Sequence, residues 1–412
     1  MGSTCVLSIA DYPLGETKAS PPADWVSFFA CTDFKKKRRR IGKRNPLIWG
    51  RPLPNTVNVL ESIYEYTAPA WVVRERLDLF GFTLNEFDTK FRAWHRSECK
   101  SHRDSALPFE LRGLNAVRAR EALGALVKRQ VLPWSIVDSD VTAVEAALLR
   151  FIFDNETGIN VRLILRAIAE HVDPNAAVVL DVSDQVQARY YPPSAAAKLA
   201  TASNAGDSRI VVLTEGVTDT EVLKRSMELL FPHLEPFFVW PNLTVPPMGG
   251  TSGIGHTLKA LAPLGIRSPL IAVFDNDFEG VSTIKQLSKQ LNIPSNFRLI
   301  RYPDINSATA WPNGCASINV NGGACSLELY FGIDVLGVGK NRPPIRWANV
   351  NSIGACQGSF DKSTKNALKR KFLAKANAST PGNLVGDWED MRTLLRALIS
   401  PVELPSVSSD DG

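Results

Sequence analysis

The chain has 412 residues, 44% of them hydrophobic and 22% charged, with a formal net charge of +5. That length supports two or three domains with cores of their own, and the charge balance excludes a wholly disordered chain. No uncharged apolar run reaches the about 18 residues of a membrane helix, and the opening MGSTCVLSIADYPLG lacks the basic-then-apolar pattern of a secretory signal. A cytoplasmic protein with no membrane partner is expected.

Along the chain, TCVLSIADYPL reads as a strand, and residues 35–44 read KKKRRRIGKR, eight basic residues in ten. Such a run neutralises nucleic-acid phosphates, with Lys36 and Arg39 as candidate contacts, or forms a solvated loop. Apolar residues at spacings of three and four predict helices over 69–81, 111–129 and 160–172. AVVLDVS (177–183) is a short buried strand, and ASNAGDS (202–208) is a linker. The first half is therefore expected to be mixed and largely helical.

After the linker the pattern alternates strictly. RIVVLTEG, EPFFVW, PLIAVFDND and FRLIRYP read as strands, with helices between them in TDTEVLKRSMELLF, GHTLKALAPL and EGVSTIKQLSKQL. This is the pattern of a parallel α/β sheet with helical crossovers. Helices follow at 361–376 and 387–399, and the tail 401–412 reads as disordered. The expected domains are 1–203, 208–345, a basic helical extension at 346–400 and the tail.

In an open parallel sheet the active site lies at the carboxyl ends of the strands. There the sequence places Glu215, with Asp219 at the start of the next helix, and the pair Asp275 and Asp277, with Gly280 letting the chain turn. Glu328 lies in the later apolar segment SLELYFG. Crowded carboxylates raise one another's pKa unless a cation neutralises them, which points to magnesium or manganese acting on a phosphate. An acidic residue after a strand is also a common helix cap or turn former, so single positions carry less than the set.

The spacing of Glu215-Gly216-x-x-Asp219 and, about 60 residues later, Asp275-x-Asp277-x-x-Gly280 resembles the Toprim pattern. Toprim domains occur in topoisomerases, bacterial primases, recombination-repair proteins and nucleases of the overcoming-lysogenization-defect type. The resemblance implies a Toprim-type, Rossmann-like sheet in which Asp275 and Asp277 hold metal. It further implies that Glu215 acts as general acid/base or additional ligand, and Glu328 resembles the late glutamate of the nuclease branch. LSIADYPLGETK, NPLIWG, YEYTAPAWVVRERLDLFGFT and VVLDVS resemble the N-terminal module of bacterial HEPN/Toprim-associated proteins, and INVNGGACSLELYFGIDVL resembles the Toprim-bearing version. By association this suggests defence against phage or other foreign nucleic acid.

Several rival readings fail on residues. GGTSGIGHTLKALAPLG (249–265) looks like a dinucleotide fingerprint, but it follows the proline-broken PNLTVPP and no Tyr-x-x-x-Lys comes later. Its glycines are expected to form a flexible loop near the metal site. Arg96 and His102 have the spacing of a HEPN ribonuclease motif, which is short and common. Tyr302 and Tyr330 read as core residues rather than topoisomerase nucleophiles, and the six scattered cysteines exclude a primase zinc ribbon. Lys362, Lys365 and Lys369 share one helical face as further candidate nucleic-acid contacts, or as a solvated basic face. The expected function is a Mg2+-dependent endonuclease acting on DNA or RNA, with a regulatory partner or homo-oligomer as a further association. The alternative is a non-catalytic nucleic-acid-binding or sensor protein.

Overall fold

The computed structural model describes residues 3–101, 113–132, 142–153, 160–204, 209–241, 251–290, 292–313, 316–350 and 355–400. The chain divides into two compact units, Met1–Gly206 and Asp207–Gly412. Among the described residues no helix is long and apolar enough to cross a membrane.

In the first unit, β1 (Cys5–Ile9), β2 (Tyr12–Thr17), β3 (Phe34–Arg40), β4 (Leu60–Pro69) and β5 (Ala177–Asp181) form an antiparallel sheet in the order β2-β1-β5-β4-β3. The helices α1 (Ala70–Leu79), α2 (Leu84–Ser101), α3 (Ala116–Arg129), α4 (Ala143–Phe153) and α5 (Val161–Ala169) build one apolar core with this sheet. Leu7, Tyr66, Val73, Leu123 and Leu165 in that core are all fully buried. The unit thus carries more sheet than the helical periodicities suggested, because its strands pair across long stretches of chain.

The basic run is a strand at the sheet edge. Side chains alternate faces along a strand, so the run divides in two. Lys37 contacts Glu65 at 2.6 Å, while Arg39 contacts Glu61 at 3.2 Å and Asp181 at 3.8 Å, and Arg44 also pairs with Glu61. On the opposite face Lys36 lies over the Tyr64 ring at 5.6 Å, and Arg38 and Arg40 are exposed.

The second unit carries the parallel sheet. Its elements in order are β6 (Ile210–Leu213), α6 (Val217–Leu230), β7 (Phe238–Val239), α7 (Thr251–Leu261), β8 (Leu270–Phe274), β9 (Asn276–Asp277), α8 (Phe278–Gln290) and β10 (Phe297–Arg301). The sheet order is β10-β8-β6-β7, with every pairing parallel. β8 is buried along its whole length, as a central strand covered on both faces must be. Leu213, Ile254, Leu258, Phe274 and Leu287 form the core between sheet and helices.

Three expectations change here. Gly253 lies inside α7 rather than in a flexible loop, the helix expected from Gly255 starting earlier at Thr251, and a Cβ on Gly255 would meet Leu287 Cδ2 of α8 at 3.7 Å. These glycines therefore sit in a helix packed against its neighbour; Gly249 and Gly250 lie outside the described residues. EPFFVW shrinks to the two-residue β7 preceded by a 3-10 turn at Glu235–Phe237. The stretch after 345 opens with a hairpin, not a helix.

Beyond β10 come β11 (Trp311–Asn313), β12 (Ala316–Ile318), β13 (Ala324–Cys325), the hairpin strands β14 (Arg346–Val350) and β15 (Ala355–Ser359), then α9 (Lys362–Ala378) and α10 (Glu389–Ile399). α9 begins where the sequence placed it, with the Asp361 side chain accepting from Thr364 N at 2.8 Å. The tail 401–412 and His102 lie outside the described residues.

Candidate functional site

β6 and β8 are neighbours, so their carboxyl ends lie side by side. Glu215 follows β6, Asp275 follows β8, and the backbone N–H of Asp275 donates to Glu215 Oε1 at 3.2 Å. Two acidic residues 60 positions apart in sequence thus meet. Thr214 holds the turn out of β6, its hydroxyl bonding to Gly216 O at 3.0 Å and to the Thr220 hydroxyl at 2.6 Å. Asp219 lies in the first turn of α6, where free N–H groups favour a carboxylate.

The Asp275–Asp277 turn is held from several sides. Asn276, fully buried between the two acids, donates to Asp304 Oδ1 at 2.8 Å and accepts from Gly322 N at 2.9 Å. β9 pairs with β13, setting Asp277 opposite Ala324. Asp277 Oδ1 accepts from Gly280 N at 2.8 Å, and the Gln357 amide of β15 donates to Oδ2. Gly280 has no room for a side chain, since a Cβ there would stand 2.2 Å from Asp275 O.

Burial raises the Glu215 carboxyl to about 7, with the charges of Asp277, Asp219 and Glu279 adding to it. Asp219 rises to about 6, again first through burial and then through Glu328, while Lys365 and Lys369 pull it down. Burial and the neighbouring Glu215, Asp219, Asp277 and Glu328 charges put Asp275 well above the carboxylate range. The five acids singled out in the sequence therefore act on one another electrostatically.

Glu328 sits in a 3-10 turn, Leu327–Tyr330, where Ser326 donates to it at 2.7 Å and Lys365 stands 3.8 Å away. Lys369 contacts Glu221 at 2.8 Å and the Thr218 hydroxyl at 3.3 Å. Lys365 and Lys369 thus flank the carboxylates, while Lys362 is exposed at the start of α9. Tyr302 and Tyr330 are buried core residues with their rings packed at 5.3 Å, and Arg96 is an exposed side chain on α2.

Sequence reasoning missed Asn276 and Gln357. Asn276 lay in plain view between the aspartates as a buried amide. Nothing local marks Gln357, which reaches Asp277 across 80 residues of chain.

The donors are all oxygen, the set a hard divalent cation takes, and buried acids that raise one another's pKa are the groups a cation relieves. Among the described residues no group of three or more His, Cys, Asp or Glu side chains is arranged to enclose a metal ion.

Residues 1–203 match the HEPN/Toprim N-terminal domain 1 family, a segment nearly coextensive with the first compact unit. No curated protein matches the chain, and no solved structure matches it. The chain is a HEPN/Toprim-associated domain protein, identified by its N-terminal half.

Proposed function

We propose that the second unit is a Toprim-type domain that hydrolyses phosphodiester bonds of DNA or RNA with magnesium or manganese, in defence against foreign nucleic acid. The observation that carries this reading is the meeting of Glu215 and Asp275 at the tips of adjacent parallel strands, with Asp219, Asp277 and Glu328 acting on them. The N-terminal family supports a nuclease-associated setting.

Asp275 and Asp277 would hold the metal, with Glu215, Asp219 and Glu328 as further oxygen donors. A bound divalent ion would supply Lewis-acid stabilisation of phosphate charge. Glu215, whose carboxyl is raised by burial and the neighbouring acids and whose Oε1 reaches Asp275 N, would serve as acid/base on the attacking water or as a further ligand. Lys365 and Lys369 place positive charge beside the acids, where it would draw in the phosphate backbone. Lys362, and Lys36 with Arg39 in the first unit, would add backbone contacts, Arg39 the least because Glu61 and Asp181 already engage it.

A second reading, nucleic-acid binding without cleavage, would use the same cations beside the acids, Lys365 and Lys369. Incubating the purified protein with labelled plasmid, single-stranded DNA and total transfer RNA, with magnesium, manganese or chelator, separates the two. Metal-dependent cleavage that Glu215→Ala and Asp275→Ala abolish is the expected result. Binding with no cleavage under any metal would favour the second reading, and equal cleavage by the variants would refute the assigned site.

A further inference from the structure

We propose that Gln357 is a positioning residue that fixes the Asp277 carboxylate for metal binding, a role that rests on reading Asp275 and Asp277 as the metal-holding pair. Gln357 comes from β15, in a hairpin outside the parallel sheet. Its amide makes two contacts of opposite sense. Nε2 donates to Asp277 Oδ2, and Oε1 accepts from the backbone N–H of Glu279 at 3.3 Å, in the first turn of α8. A primary amide satisfies both at once because it carries a donor and an acceptor on one carbon.

The result is a carboxylate held at both ends. Oδ1 takes the Gly280 N–H and Oδ2 takes the Gln357 amide, so the Asp277 plane is set while each oxygen keeps a lone pair for a cation. The hairpin bearing Gln357 is itself anchored, since Gly358 N donates to Gly323 O at 2.9 Å. A Cβ on Gly358 would stand 2.5 Å from Ala324 Cβ, on the strand that pairs with β9. β15 therefore lies close against the strand beside Asp277, and Gln357 projects from a fixed backbone. Groups that orient a metal-binding carboxylate by hydrogen bonding are worth ~10–100-fold in metal affinity.

Gln357 also lines a partly open pocket with Phe278, Glu279, Ser282 and Thr283, and Leu and Met are close to it in size while lacking the amide. The test is Mn2+ binding to the full-length protein, followed by the resonance signal of free Mn2+, for wild type, Gln357→Leu, Gln357→Met and Ser359→Ala. Ser359 is exposed on the same strand and serves as the control. The Leu and Met variants are expected to bind ~10–100-fold more weakly and to remain folded in chelator, melting somewhat lower for the two hydrogen bonds lost, while Ser359→Ala is expected to match wild type in both. If the Leu variant does not fold, the Met variant carries the comparison. In cleavage assays the half-saturating metal concentration rises, while the rate at saturating metal recovers toward wild type. Unchanged Mn2+ affinity in the amide-free variants overturns this inference alone, and a wild type that binds no Mn2+ overturns it together with the metal-site reading.

Discussion

At the scale of single residues, the acids behind β6 and β8 make stability depend on pH in a direction opposite to the common carboxylate. Glu215 and Asp219 rise to about 7 and about 6 because burial and like charges disfavour their ionised forms. A carboxyl whose folded pKa is raised contributes stability that is full below its unfolded value and is lost as pH climbs through the folded value. The metal-free protein is therefore expected to melt lower at pH 8 than at pH 5, and Glu215→Gln to flatten that difference in thermal scans at several pH values. Magnesium should restore the loss at pH 8, since it binds the ionised acids. Gly280→Ala places a methyl against the Asp275 carbonyl, and we expect ~1–3 kcal/mol of destabilisation in urea unfolding together with loss of cleavage. Glu215, Asp219, Asp275 and Asp277 were legible because strand tips in a parallel sheet can be read from where apolar runs stop. Gln357 was not, since only folding brings β15 to the acids.

At the scale of elements, helix boundaries were legible wherever apolar spacing and a capping residue agreed. Asn160 accepts from Arg162 N at 2.9 Å and begins α5, whose Leu163, Ile164, Leu165 and Ile168 are buried in the first unit's core. Asn160→Ala is expected to cost about 1 kcal/mol of stability, read as a lower urea midpoint with an unchanged slope. Strand identity was harder to read. Lys35 to Arg40 has no apolar alternation, so nothing local predicts β3; its pairing with β4, and the acids Glu61, Glu65 and Asp181 waiting for its cations, make it a strand. The start of α7 shows the reverse error, because Gly253 suggests a loop by propensity alone, while the packing of the helix against Leu287 is a tertiary term.

At the scale of the whole molecule, alternation of strands and helices was enough to anticipate a parallel sheet in the second half, while the antiparallel sheet of the first half depends on pairings such as β1 with β5 that no local pattern encodes. The place of β3 in that sheet has a consequence for how the protein behaves in concentrated solution. Among the described residues no strand pairs with the outer side of β3, and such an edge can take up a strand from a second copy of this chain. Lys35, Lys36, Arg38 and Arg40 stand exposed along β3, while Lys37 and Arg39 are paired with acids, and that exposed charge is expected to make the encounter repulsive. The guard is ionic and therefore fades as salt rises, the screening length falling from ~8 Å at physiological strength to ~3 Å at 1 M. Light scattering across that range should show association growing with salt, and a Lys36→Thr, Arg38→Thr, Arg40→Thr protein should associate already at low salt. Salt, which keeps many proteins apart, would here be what lets copies of this one meet.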